Sequence, residues 1–135
     1  MDGVIIDGAH NEDGVAQFVK TAAHFSKENQ ITILFSAVAD KRYQDMIREI
    51  SEGIHPDRVV TTEISGSREV SAEELAELFR REGCREVWAE PQVGKAFEKA
   101  YEEKAEGLMF CVGSLYLAGE VKDWIARREK EAAKC

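Results

Sequence analysis

A chain of 135 residues can bury a single core without disulfide or metal staples, and 44% hydrophobic with 33% charged residues describes an ordinary globular domain. Its 26 acidic against 18 basic residues give a net charge of −8. That balance excludes a nucleic-acid or anionic-membrane surface as the main partner, because both need a positive footprint, although a nest of backbone N–H groups can still hold phosphates on an acidic protein. No apolar run approaches membrane-spanning length, no signal peptide is visible, and Cys84, Cys111 and Cys135 have no paired spacing. The expectation is a cytoplasmic protein in a reducing compartment, without a disulfide framework.

The chain opens on Val4-Ile5-Ile6-Asp7, a short β-branched strand, followed by the turn Gly8-Ala9-His10-Asn11. Val15, Phe18, Val19 and Ala22 then recur at helical spacing, which predicts a helix from about Asn11 to Ser26. Ile31 to Phe35 is apolar on both faces, as strands in the middle of a covered parallel sheet are. Asp40 is the expected N-cap of the next helix, whose stripe is Tyr43, Met46, Ile47 and Ile50 and whose end is set by Gly53. Arg58–Thr62 is a third strand and 63–70 a loop. Ser71 to Glu74 has the form of a capping box, ahead of Leu75, Leu78 and Phe79, with Gly83 as the stop. Glu86–Ala89 is a fourth strand. Pro91 suits the first position of a helix carrying Val93, Ala96, Phe97, Ala100 and Tyr101, which Gly107 ends. Leu108–Val112 is a second doubly apolar strand. Gly113-Ser114 turns into a last helix with Leu117, Val121, Trp124 and Ile125 facing inward, closing in a mixed-sign solvated end from Arg127 onward. Strict alternation of five strands and five helices predicts a three-layer, Rossmann-like, mostly parallel α/β sheet. Periodicity leaves the strand order open.

In such a sheet ligands bind beyond the carboxyl ends of the strands. That edge collects Asp7, His10 and Asn11 from the first turn, Ser36, Asp40 and Lys41 from the second, and Gly113, Ser114 and Tyr116 from the last. A helix beginning near Asn11 would aim N–H groups at an anion. A carboxylate, an imidazole, an ammonium and a helix N-terminus together suit an anionic substrate with a polar head. Each also has a plainer role: Asp7 serves as a cap as readily as a ligand, Lys41 alone is more often a solvated charge, and Ser114 at a helix start is by default an N-cap. His24 and His55 are structural, and Trp88 and Trp124 belong to the core. The sequence contains no Gly-x-x-x-x-Gly-Lys-Ser/Thr loop, no Gly-x-Gly-x-x-Gly, no zinc-type ligand cluster and no nucleophile elbow. No metal ligands are assigned to it.

Three segments carry a resemblance. Asp7-Gly8-Ala9-His10-Asn11, Phe35-Ser36-Ala37-Val38-Ala39-Asp40-Lys41 and Gly113-Ser114-Leu115-Tyr116-Leu117-Ala118-Gly119-Glu120-Val121 resemble, in order, the opening, second and closing motifs of the C-terminal domain of folylpolyglutamate and dihydrofolate synthases. These belong to the Mur ligase superfamily of ATP-dependent amide-forming enzymes. The closing segment is the most specific and favours the folate branch over the cell-wall Mur ligases. Glu12 stands where the family has Pro, Ser36 where it has Gly, and Arg42 where it has a second Asp, which weakens Lys41 more than His10.

The resemblance implies a C-terminal domain that closes over ATP, with the phosphate loop and the Mg2+ ligands on a separate N-terminal ATPase domain. ATP would phosphorylate a carboxylate of a folate or pteroate, and glutamate would attack the acyl phosphate. It further implies that Asp7 and Asn11 contact nucleotide, that the catalytic His10 places phosphate and glutamate, and that Ser114 and Lys41 meet substrate. The chain is thus expected to be one domain of a longer ligase, inactive alone. The alternatives are a stand-alone nucleotide- or amino-acid-binding regulatory module and the C-terminal domain of a cell-wall Mur ligase.

Overall fold

The computed structural model describes residues 3–38, 42–64 and 70–133. Among them β1 (Val4–Ile6), β2 (Ile31–Phe35), β3 (Arg58–Thr61), β4 (Glu86–Ala89) and β5 (Leu108–Val112) alternate with five helices. These are α1 (Glu12–Ser26), α2 (Tyr43–Ile54), α3 (Ala72–Arg81), α4 (Val93–Lys104) and α5 (Leu115–Ala133). The strands form one sheet in the order β1-β5-β2-β3-β4, and every pairing is parallel. The last strand is therefore inserted between the first two.

Alternation along β2 divides the core. Ile31, Ile33 and Phe35 face a layer of α1, α2 and α3, where Phe18, Met46, Ile47, Ile50, Leu75 and Phe79 are buried. Leu34 faces α4 and α5, meeting Phe97, Leu117 and Val121. Two helical layers thus bury a doubly apolar centre, and Phe35 packs edge-on against Phe79 with ring centroids 5.3 Å apart. Trp88 and Trp124 are part-buried against the α4–α5 side, as expected of core aromatics. Among the described residues no helix is long and apolar enough to cross a membrane.

Several boundaries differ from the sequence reading, each for a local reason. Gly53 does not end α2. It lies inside the helix, where a Cβ would overlap Val19 of α1, and the turn is made by His55 in the left-handed region (φ 53°). Glycine here permits close helix packing instead of a cap. At the end of α4 the left-handed residue is Ala105 (φ 47°), while a Cβ at Gly107 would run into the Gln30 carbonyl group. Pro91 precedes the N-cap Gln92 and so sits outside α4, where its carbonyl accepts from Thr62 Oγ1 at 3.3 Å. α5 continues through the charged segment to Ala133; Arg128 and Trp124 Nε1 both bond Glu98, tying its middle to α4. Ser71 caps α3 by accepting from Glu74 N at 3.1 Å, and Glu63 accepts from Ala72 N at 3.0 Å. Asp40, the expected cap of α2, lies outside the described residues; the residue at that position is Arg42, without a side-chain cap bond.

Candidate functional site at the carboxyl edge

The strand order brings the first, second and last turns together. β5 pairs with β1 on one side (Ile6 opposite Cys111) and with β2 on the other (Phe35 opposite Val112), so the three turns leave three adjacent strands. They are stitched by backbone: Asp7 N donates to Cys111 O at 2.9 Å, and Gly113 N donates to Ala9 O at 2.8 Å. Gly113 takes φ 110° and lies so close to β2 that a Cβ would strike the Ser36 carbonyl oxygen and approach Phe35 Cε2 to 2.8 Å. Only glycine fits that crossing. A Cβ at Gly8 would lie 2.8 Å from Leu115 Cδ2, so the last turn also rests on the first.

The side chains have defined roles within this frame. Asp7 Oδ1 accepts from Ala9 N at 2.9 Å and shapes the first turn. His10 Nδ1 lies 3.0 Å from Gly8 O. A carbonyl only accepts, so the proton belongs on Nδ1, and in the neutral ring Nε2 keeps its lone pair. Asn11 is the N-cap of α1, accepting from Gly14 N at 2.8 Å, which leaves its amide NH2 as the part that can meet a ligand. Ser114, 3% exposed, accepts from Tyr116 N at 3.0 Å and Leu117 N at 3.3 Å. With both acceptor positions used, its remaining function is to donate O–H. Ser36 is fully buried at the end of β2, and its hydroxyl has no hydrogen-bond partner among the described residues. Lys41 lies outside the described residues.

The electrostatics correct one expectation. The first turn of α1 carries Glu12 and Asp13, and Asn11 already occupies one of its N–H groups, so this helix start is less open to an anion than the sequence implied. Asp45 and Glu49 of α2 lie close by. Burial, then the charges of Glu12, Asp45 and Asp13, push the Glu49 carboxyl above its ordinary value. Arg42 reaches Glu12 at 3.4 Å across solvent. The first turn of α5, by contrast, has no acidic residue.

Among the described residues no group of three or more His, Cys, Asp or Glu is placed to hold a metal ion. Sequence singles out Gly113, Ser114 and Tyr116 at this turn, but neither Leu115 nor the bond from Gly113 to Ala9. The signal for Leu115 was present: it is an apolar residue outside the buried stripe of Leu117 and Val121.

The family model described as the Mur ligase glutamate ligase domain matches residues 2–115. A dihydrofolate synthase/folylpolyglutamate synthase of Bacillus subtilis is 40% identical over 52 residues, covering 38% of this chain and 12% of its own. A probable bifunctional folylpolyglutamate synthase/dihydropteroate synthase of Halobacterium salinarum is 30% identical over 120 residues, covering 88% of this chain and 14% of its own. Among solved structures, E. coli FolC in complex with DHPP and ADP has a TM-score of 0.81 at 21% identity, over 93% of this chain and 29% of that one. The bifunctional folylpolyglutamate synthase/dihydrofolate synthase of Yersinia pestis, complexed with AMPPNP and Mn ion, has a TM-score of 0.77 at 20% identity, over 91% and 28%. At these identities the structures attest the fold. The chain spans 12% and 14% of the length of these curated relatives. By a family match over most of its residues, carried on a sheet that sets the three motif turns side by side, this chain belongs to the glutamate ligase domain family of the Mur ligases.

Proposed function

We propose that this chain is the C-terminal domain of a longer, cytoplasmic, ATP-dependent ligase that adds glutamate to a folate or dihydropteroate. The observation that carries the reading is the insertion of β5 between β1 and β2, which gathers Asp7, His10, Ser36 and Ser114 on one edge. The γ-phosphoryl group of ATP passes to the acceptor carboxylate; the glutamate amine then attacks the acyl carbon, phosphate leaves, and the amine loses a proton. His10 Nε2, with its lone pair held outward by the Nδ1 bond to Gly8, suits that proton or, when protonated, a phosphate oxygen. The Ser114 hydroxyl suits a glutamate carboxylate seated against the start of α5. Asp7 and the Asn11 amide would contact the nucleotide, and Lys41, outside the described residues, is assigned to the substrate by the resemblance alone. Mg2+ and the phosphate loop would come from an N-terminal ATPase domain. The relatives' names support the folate branch, and solved neighbours named with ADP, AMPPNP and Mn ion support nucleotide and metal use by the assembled ligase.

The test begins with the reading frame upstream of the Met1 codon. A frame running through further domains with a Gly-x-x-Gly-Lys-Gly-Ser/Thr loop supports the reading; an in-frame stop immediately upstream overturns it. The encoded protein should then join glutamate to a pteroate or folate with consumption of ATP, while residues 1–135 alone do not. His10→Ala in that protein should lower kcat by roughly 10²–10⁴-fold with its thermal midpoint unchanged.

A further inference from the structure

Arg42 stands where a cation is least expected. It holds the N-cap position of α2, makes no side-chain cap bond, and brings positive charge to a helix end that favours negative charge. Its side chain is 78% exposed and meets Glu12, 42% exposed, at 3.4 Å. Among the described residues that is the one hydrogen bond its guanidinium makes, which leaves most of its five N–H donors free. Arg48, further along α2, is by contrast engaged by Asp45 at 3.4 Å and Glu82 at 3.9 Å. Glu12 and Arg42 are both positions where this chain departs from the motifs it resembles, and the fold brings the two departures together.

The pair joins the start of α1 to the start of α2, and so the first turn of the edge to the second. Glu12 follows Asn11 directly and His10 by two residues, which puts the guanidinium beside the turn that carries both. Glu12 and Asp13 make that helix start unfavourable to an anion, so an anion received there needs a cation from a neighbouring element. Among the described residues, Arg42 is the cation bonded to this helix start. An ion pair this exposed holds its partners weakly. A guanidinium meets a phosphate or a carboxylate through two parallel N–H bonds, a stronger contact than the one it leaves.

We propose that Arg42 is a substrate-binding residue particular to this chain: its guanidinium leaves Glu12 and takes an oxyanion of the substrate seated beside the His10 turn. Glu12 is its counter-ion at rest and its competitor during binding. The inference rests on the anion-receiving reading of this edge and adds the residue that supplies the positive charge. Phosphate oxygens and a carboxylate present the same planar pair of acceptors to a guanidinium, so the source of the oxyanion is separated by experiment.

The test uses the 15N-labelled 135-residue chain, titrated with inorganic tripolyphosphate and, separately, with L-glutamate. At least one of the two should shift the Arg42 Nε–H signal together with the His10 amide, and the one that does identifies the source. Arg42→Gln should weaken that anion by about 10-fold or more. Arg42→Lys, which keeps the charge and loses the fork, should recover only part of the affinity. Glu12→Gln, which frees the guanidinium, should tighten binding by about 2- to 5-fold. Arg81→Gln removes the same charge from the far end of α3 and should leave the affinity unchanged. Both members of the pair are exposed and Arg42 caps nothing, so these variants should fold. If an anion shifts His10 while Arg42→Gln binds it as the parent does, the inference is overturned and the anion reading of the edge stands. Parent affinity in Arg42→Lys, or an equal loss in Arg81→Gln, would reduce Arg42 to a charge acting at a distance and overturn the contact. If neither anion moves His10 at tens of millimolar, the anion reading of this edge fails, and the inference with it.

Discussion

The carboxyl edge of this sheet has two halves built from the same strand-turn-helix unit, and they differ in how much side-chain capacity they leave unspent. Beyond β3 and β4 the groups are consumed internally: Thr61 Oγ1 donates to Ala72 O at 2.7 Å, Thr62 Oγ1 to Pro91 O, and Glu63 and Ser71 both accept from the start of α3. Beyond β1, β5 and β2 the backbone is stitched together, Asp7, Asn11 and Ser114 accept from their own turns, and side-chain functions are still left over: His10 Nε2, the Ser114 O–H, the Ser36 hydroxyl, unpartnered among the described residues, and the exposed Tyr116 ring. A turn that satisfies its own side chains is scaffold. A turn held by main chain, with side-chain capacity to spare, is where a ligand can be received.

The largest test of that comparison is Gly113→Ala. The added methyl group meets the Ser36 carbonyl and the Phe35 ring at a backbone φ of 110°, so close approach and strain act together. The expected cost is more than about 3 kcal/mol, read from urea unfolding. Gly83→Ala is the control: φ is 100° but nothing lies within 4 Å, so strain acts alone and the cost should be roughly 1–2 kcal/mol. Equal costs at both positions would show that the crossing of β5 and β2 is looser than described and would break the claim that main chain fixes the site.

A finer test exchanges one hydroxyl from each half. Thr61→Val removes a fully buried bond and should cost about 1–2 kcal/mol of stability with no change in glutamate ligation by the proposed full-length ligase. Ser114→Ala should cost a similar amount, about 1 kcal/mol, as a lost N-cap. In the proposed full-length ligase it should also raise KM for glutamate by on the order of 10-fold, the worth of a hydrogen bond to a charged group. If both variants lose stability and neither changes KM, Ser114 is a cap only.

Much of this architecture was legible because single-residue periodicity carries it. The runs Ile31–Phe35 and Leu108–Val112 declared themselves as buried strands before any pairing was known, since covering both faces requires apolar residues at every position. Asp7, His10 and Ser114 could be placed at one edge because every βα turn of a parallel sheet opens the same way. Strand order was not legible: it depends on which faces meet in three dimensions, and no local pattern in the chain states that β5 enters between β1 and β2. Glycines were misassigned for a related reason. Gly53 and Gly107 look like helix stops in one dimension, but Val19 and the Gln30 carbonyl, both distant in sequence, exclude a side chain there. The stop was supplied instead by His55 and Ala105, residue types that give no such warning.

The smallest effect concerns the acidic rim beside the first turn. Glu49 is crowded by Glu12, Asp45 and Asp13, and burial adds to their repulsion, so its folded pKa lies above the unfolded value. For an acid shifted upward, the proton is bound more tightly in the native state. The resulting stability is fully present below the unfolded pKa and is lost as pH rises through the folded pKa. At neutral pH the charged carboxylate is therefore a net liability, and Glu49→Gln should raise the thermal midpoint at pH 7. The advantage should shrink as pH falls through the carboxylate range and vanish once Glu49 is protonated in both states. A midpoint unchanged at pH 7 would mean that Arg42 and solvent already offset the repulsion. The rim would then be electrostatically neutral toward an approaching anion, and α1 would regain the anion-receiving role that its acidic first turn argues against.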